Sequence, residues 1–175
     1  MNTVDDLVTQ LTGEQARAAA AIAALRASRE QVMANLRQLE GPNAALEHID
    51  YFVDLFGRGA VELGRVAAEL PQGTQQAHID AIRQLASNSA AEQRRSVLFR
   101  DKWINKPLPY EQMRSVLNGI SNTTREQLDA FRALTEMASA LESARGELKG
   151  EDTKGFDRRA LFTRLFKPPT DGDSR

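Results

Sequence analysis

The sequence predicts an all-α protein: an antiparallel bundle of about four long helices, with a short N-terminal helix before it and a C-terminal amphipathic segment after it. Proline and glycine fall in clusters, and the long segments between the clusters repeat their apolar residues with a helical period. The turns between these segments are short, and short turns make successive helices antiparallel. We find no convincing period-2 alternation of the kind that marks a β-strand.

The first two helices are expected on either side of a capping signal. Apolar residues on one side predict a short helix over about residues 3–11. Thr12 and Gln15 have the spacing of a capping box, so a second helix should run from there to about Leu39. Arg29 lies in the apolar stripe of this helix, where an apolar residue is expected. The stripe consists of Ile22, Leu25, Val32, Leu36 and Leu39.

The third helix has the most regular apolar pattern in the chain. Gly41-Pro42 precedes it, Asn43 is its expected N-cap and Pro71 ends it. Its apolar residues follow a heptad spacing, which is typical of helices and coiled coils packed at a shallow angle. Gly57 and Gly64 share a face beside this stripe and predict the close approach of a neighbouring helix. The heptad residues are Leu46, Ile49, Val53, Phe56, Ala60, Leu63, Ala67 and Leu70.

Two further helices complete the predicted bundle. Thr74 is the expected cap of the fourth, which runs to about Ile104. The fifth should cover Pro109 to about Leu148, with Gly146 or Gly150 as its stop. We therefore divide the chain into a helical bundle over residues 1–149 and a C-terminal part over 150–175. The latter consists of a flexible joint, a short basic helix and a disordered tail.

Composition narrows the class of function. The 175 residues carry a net charge of −1 and contain no cysteine, which excludes thiolate metal sites and catalytic thiols. No apolar run approaches the length of a transmembrane helix, and acidic residues stand where a signal peptide would be basic. A cytoplasmic protein is the expectation, and abundant alanine and arginine with little lysine favour a bacterial or phage source.

Catalytic and metal-binding patterns are missing from the sequence. There is no G-x-S-x-G elbow, and the glycines of YFVDLFGRGAVELG lack the spacing of a dinucleotide-binding loop. His48 and His78 lie near the starts of successive antiparallel helices, so they are expected at opposite ends of the bundle as surface or capping residues. We therefore predict a protein that is not an enzyme and has no cofactor and no metal site.

A band of small polar residues leaves two interpretations open. Ser87, Asn88 and Ser89 should lie level with residues 121–127 of the next helix and with the aromatic residues of the third. These groups line a pocket opposite Tyr51, Phe52 and Phe56, or they face water. In the second case the helix contacts are made by Leu85, Ala86, Ile120 and Leu128.

The segment RRSVLFRDKW also has two interpretations. Basic side chains beside aromatic ones are used to bind single-stranded nucleic acid. Alternatively Val97, Trp103 and either Leu98 or Phe99 are core residues with arginines extending around them. The dipole of the helix favours cations near its C-terminal end, which also explains the basic residues. The candidate nucleic-acid contacts are Arg94, Arg95, Arg100 and Lys102.

The C-terminal segment GFDRRALFTRLFKPP is the strongest candidate for a binding motif. From Lys154 to Lys167, five basic residues and one acidic residue give a net charge of +4. A helix here would place its leucines and phenylalanines on one side, as in short motifs that dock in a partner's groove. Contact with an anionic membrane or folding back onto the bundle are the alternatives. The predicted contact residues are Phe156, Arg158, Arg159, Leu161, Phe162, Arg164, Leu165 and Phe166.

These observations together predict a non-catalytic protein-interaction module, such as an adaptor, assembly factor or structural component. It would bind a protein partner through its C-terminal segment and its helical surface. The heptad pattern also allows homo-oligomers. The alternative is a helical protein that binds nucleic acid through the basic-aromatic segment, and peripheral membrane contact is not expected.

Overall fold

The computed structural model describes residues 3–38, 42–104 and 111–155. Four α-helices cover most of these ranges: α1 (Val4–Ala34), α2 (Pro42–Glu69), α3 (Gln76–Ile104) and α4 (Glu111–Gly155). Single 3₁₀ turns follow α1 (Leu36–Gln38) and α2 (Leu70–Gln72), and these ranges contain no strand. The predicted all-α bundle is confirmed. Within the same ranges, no helix has a stretch that is long and apolar enough to cross a membrane.

α1 and α2 form an antiparallel pair. The guanidinium of Arg29 lies 2.8 Å from the Asp50 carboxylate near one end of the pair. Gln15 lies against Gly64 near the other end. The pairing with Asp50 explains why a charged residue occupies the apolar stripe of α1, because the guanidinium reaches the edge of the interface and is neutralised there.

α3 and α4 form the second antiparallel pair. Arg83 binds Glu142 across this interface, and the side-chain amide of Gln93 donates to Asp129 at 3.1 Å. α1 also packs against α4, which closes the bundle in an up-down-up-down order. Each helix therefore lies antiparallel to both of its neighbours.

α1 is one continuous helix, so the predicted short N-terminal helix over residues 3–11 is wrong. The capping box lies at its start: the Thr3 hydroxyl accepts from the Asp6 N–H at 3.2 Å, and the Asp6 carboxylate accepts from the Thr3 N–H at 3.0 Å. Thr12 lies inside the helix and donates its hydroxyl to the Val8 carbonyl at 2.8 Å. A threonine that binds its own helix in this way does not interrupt it.

The helix ends also differ from the prediction. Pro42 is the first residue of α2, where the missing N–H of proline costs nothing, so Asn43 is not the N-cap. α4 continues through Gly146 and Gly150 to Gly155, beyond the predicted stop and through the predicted joint. Each glycine costs a helix about 1 kcal/mol, and this cost does not end a long helix by itself. The predicted start of this helix at Pro109 lies outside the described residues.

The core is centred on the broad buried face of α2. Phe52 and Phe56 are fully buried, with ring centroids 5.5 Å apart, and Phe56 meets Phe131 of α4 edge to face at 5.8 Å. α2 packs more extensively against α1 than against α3 or α4. Of the heptad residues, Leu46, Val53 and Ala60 are only partly buried. The pattern missed Phe52, Leu55 and Val66, which are buried because α2 contacts three helices.

Gly59 is the glycine that the aromatic core requires. A Cβ atom at this position would lie 2.7 Å from Cε2 of Phe131 and 3.1 Å from Cδ1 of Leu85. The prediction placed the close approach at Gly57 and Gly64. It is wrong for Gly57, which has nothing within 4 Å of such an atom, whereas at Gly64 the atom would meet the flexible end of Gln15 at 2.6 Å.

We therefore expect opposite effects from alanine at two nearby positions of α2. Gly59→Ala should lower the free energy of unfolding by about 1–2 kcal/mol, because overpacking against the buried Phe131 ring outweighs the better helix propensity of alanine. Gly57→Ala is the matched control and should raise it by up to about 1 kcal/mol. Urea unfolding followed by circular dichroism measures both. Equal effects at the two positions would contradict the packing of Phe131 on Gly59.

Candidate interaction surface

The segment RRSVLFRDKW forms the C-terminal part of α3. Phe99 and Trp103 are buried in the core, with 7% and 5% of their surface exposed. Val97 and Leu98 point outward and are 41% and 58% exposed. The structural interpretation is therefore confirmed for Phe99 and Trp103, but the placement of Val97 in the core is wrong. Helical spacing puts Val97 on the side of α3 away from α2, whereas Leu98 lies nearer to Arg95, which stacks on Tyr51 of α2.

The four cations of this segment differ in their surroundings. Arg95 stacks over the Tyr51 ring at 4.0 Å and lies 3.1 Å from the Glu92 carboxylate. Arg100 is 3.1 Å from the neighbouring Asp101. The amine of Lys102 lies 5.7 Å from the centre of the Trp103 ring. Arg94 is exposed and makes no ion pair within the described ranges. The structure thus brings the cations onto one half of α3, with two of them already held by carboxylates.

Tyr51 connects α2 to this half of α3. Its hydroxyl donates to the Glu92 carboxylate at 2.7 Å, and this hydrogen bond raises the pKa of the tyrosine. Glu92 also holds Arg95, so one carboxylate ties the phenol and the guanidinium together. The contact of Tyr51 of α2 with Glu92 and Arg95 therefore holds this half of α3 in position.

His48 is buried in the centre of the bundle, so its predicted place at the surface is wrong. Its ring stacks on Phe99 of α3 with centroids 3.9 Å apart and planes at 16°, and the Phe52 ring lies 4.7 Å away. Nε2 is 3.4 Å from the Thr124 hydroxyl of α4. Burial lowers the pKa of His48 from 6.5 to about 4, and the nearby positive charge of Arg95 acts in the same direction. Near neutral pH the ring is an uncharged part of the core.

His78 caps the start of α3, as predicted, although it is also buried. Its Nδ1 accepts the backbone N–H of Gln75 at 3.2 Å, so the other ring nitrogen carries the proton. That Nε2 donates to the Glu69 carboxylate at 2.8 Å. The hydrogen bond from His78, with a further one from Arg65, lowers the pKa of the Glu69 carboxyl. His78 thus joins the end of α2 to the start of α3.

The band of small polar residues divides between core and surface. Ser87 and Asn88 are exposed, whereas Ser89 and Thr124 are fully buried. The buried hydroxyls donate within their own helices, Ser89 to the Leu85 carbonyl at 2.9 Å and Thr124 to the Ile120 carbonyl at 2.8 Å. Leu85, Ala86, Ile120 and Leu128 are buried as well. The buried members of the band are thus part of the core, and the exposed members face water.

Open grooves instead follow the seam between α1 and α4. One has a volume of about 440 Å³, and a second of about 310 Å³ shares Arg17 with it. Small residues such as Gly13, Ala20 and Ala133 line them. Gln127 borders the second groove, is 2% exposed, and its side-chain N–H group has no hydrogen-bond partner among the described residues. No part of the described chain brings together three metal-ligating side chains.

The predicted docking residues of the C-terminal segment lie outside the described residues. They are Phe156, Arg158, Arg159, Leu161, Phe162, Arg164, Leu165 and Phe166. The outward position of Leu98, which the sequence interpretation left open, is the feature that the structure adds. A helical projection of α3 could have predicted the outward position of Leu98. Phe99 falls on the same side as Ile82, Leu85 and Trp103, and Leu98 does not.

Comparisons with protein-family models, with curated proteins and with solved structures find no match to this chain.

We expect the buried His48 to make stability depend on pH. Its folded-state pKa of about 4 lies below the unfolded value of 6.5, so the unfolded chain binds the proton more tightly. The contribution of His48 to stability is therefore complete when the pH is above its unfolded-state pKa, and it is lost as the pH falls toward its folded-state pKa. The loss between neutral pH and pH 4 should be about 3 kcal/mol.

The variant His48→Gln, which cannot titrate, provides the comparison. Urea unfolding at several pH values should show the free energies of the two proteins converging or crossing as the pH falls. His78 is present in both proteins, so its contribution cancels. If the free energies of unfolding of the two proteins changed in parallel with pH, His48 would not be a buried neutral group that takes up a proton on unfolding.

Proposed function

We propose that this chain is a non-catalytic protein-interaction module in which the bundle is a rigid scaffold and the segment from Phe156 to Phe166 docks on a protein partner. The length of α4 is the observation that carries the proposal. Arg145 of α4 binds Gln76, the first residue of α3. α4 then continues from Gly146 to Gly155, which corresponds to roughly 15 Å of helix beyond that contact.

This extension supports docking to a partner over folding back onto the bundle. α4 runs for more than two helical turns past the contact between Arg145 and Gln76 before it ends at Gly155. A segment that capped the bundle would first have to reverse direction and cover this distance. We propose that the segment following this extension is accessible to another protein.

The composition of the segment supports the same function. If the segment is helical, Leu161, Phe162, Leu165 and Phe166 would fall on one side, which suits insertion into an apolar groove. Arg158, Arg159 and Arg164 would then set the orientation through acidic groups of the partner. The titratable groups of the bundle support a non-catalytic role, because His48 is packed between rings and His78 serves as a cap.

Nucleic-acid binding through Arg94, Arg95, Arg100 and Lys102 is the second candidate, favoured by their clustering on one half of α3. The aromatic rings of the segment are less favourable, because Phe99 and Trp103 are buried and offer no face for base stacking. A labelled single-stranded oligonucleotide tests this candidate. Phosphate contacts strengthen at low salt, so no binding at about 50 mM salt would dismiss it.

The docking proposal predicts that two phenylalanines carry partner binding. A nuclease-treated pull-down from host lysate should retain a specific protein with the full chain and lose it with Phe162→Ala/Phe166→Ala. Loss of two anchor side chains should weaken binding by about 30-fold or more. Thr163 lies between the two phenylalanines in the chain, so Thr163→Ala is the matched control and should retain the partner.

Thermal unfolding of the same variants separates docking from an intramolecular cap. A docking segment leaves the melting temperature of the double variant unchanged, whereas a cap loses buried area and lowers it. Equal retention of partner by the double variant and the full chain would overturn the proposal.

A further inference from the structure

We infer that the outer face of α3 is a second docking surface, which binds an acidic amphipathic helix of a partner protein. We call this surface the α3 patch and define it by Arg94, Val97, Leu98 and Lys102. It lies on the bundle itself and is independent of the C-terminal segment.

The α3 patch combines apolar and basic side chains on one face. Leu98 is 58% exposed and lies on this face, and Val97, which is 41% exposed, lies beside it toward α4. Arg94 lies four residues before Leu98 and Lys102 four residues after it, so the three share a face that is about 12 Å long. An aliphatic centre is thus flanked at both ends by a cation.

The flanking cations are available to a partner. Arg95 and Arg100 lie close to Glu92 and Asp101, respectively, and these carboxylates neutralise them. Neither Arg94 nor Lys102 forms an ion pair within the described part of the chain. The only nearby acid on the same turn as Lys102, Asp101, is already used by Arg100. The exposed charge of the α3 patch is therefore positive.

The neighbouring helix adds to this charge. Gln93 of α3 donates to Asp129 of α4, which sets the register of the two antiparallel helices. One turn further along, Val97 is level with Arg125, which is exposed. The aliphatic centre of the α3 patch therefore has one basic residue of α4 at its level, in addition to the cations at both ends.

An acidic amphipathic helix fits this arrangement best. Its apolar residues would cover Val97 and Leu98, and carboxylates about two turns apart would meet Arg94 and Lys102. Nucleic acid fits less well, because the exposed centre is aliphatic and the rings are in the core. A membrane surface also fits less well, since two aliphatic side chains without an exposed aromatic one give little area to insert.

Synthetic peptides test the inference with the full chain. The probe is a fluorescein-labelled helical peptide with two glutamates, spaced as Arg94 and Lys102 are, on either side of a leucine pair. A second peptide carries lysines in place of the glutamates, and a labelled single-stranded oligonucleotide represents nucleic acid. Fluorescence anisotropy should show binding of the acidic peptide and no binding of the basic one.

Substitutions in the α3 patch should change this binding in a defined way. Leu98→Asp should weaken binding of the acidic peptide by about tenfold or more. Arg94→Glu/Lys102→Glu should abolish that binding and create binding of the basic peptide. Val61→Asp is the matched control, because Val61 is a 71% exposed aliphatic residue on α2 outside the α3 patch, and it should bind as the unaltered chain does.

Three results would overturn the inference: equal binding of both peptides, no effect of Leu98→Asp, or binding of the oligonucleotide alone. The last result would assign the surface to nucleic acid. All four side chains of the α3 patch are at the surface, so their substitution leaves the core intact, and circular dichroism verifies this. Phe162→Ala/Phe166→Ala should leave peptide binding unchanged, so a failure here is distinguishable from a failure of the proposed C-terminal docking.

Discussion

The aromatic face of α2 is the contact on which the other helices depend. Phe52 and Phe56 fill the space between α2, α3 and α4, and Phe131 completes the cluster by lying directly over Gly59. Burying each ring contributes about 1.5–3 kcal/mol, so these side chains supply a large share of the apolar burial. The missing side chain at Gly59 lets Phe131 of α4 pack directly against α2.

This cluster also determines the state of the polar groups beside it. His48 is stacked on Phe99 and next to Phe52, which removes its ring from water and lowers its pKa. The hydroxyls of Ser89 and Thr124 bind carbonyls of their own helices, so they enter the core without an unsatisfied group. Residues whose types are common in active sites are here part of the packing, and this agrees with a scaffold function.

The same packing decides what α3 leaves outside. Once Phe99 and Trp103 enter the core, the period of the helix turns Leu98 and Arg94 toward solvent. Arg95 lies instead over the Tyr51 ring of α2 and beside Glu92. The α3 patch is therefore a consequence of the core on the opposite side of the helix. The proposed C-terminal docking would use a second and separate place, beyond the end of α4.

Local chemistry in the sequence determined the helices and their antiparallel order, because hydrophobic period and Pro-Gly turns act within one segment. Contacts between segments decided the rest. The sequence has the spacing of a capping box at Thr12, but in the structure the capping box lies at Thr3 and α1 continues through Thr12 with Leu7 and Leu11 buried. Gly57 and Gly59 look alike in the sequence, and only the register of α4 places Phe131 on Gly59. Register depends on how side chains from distant segments fit together, and a single helical pattern does not contain that information.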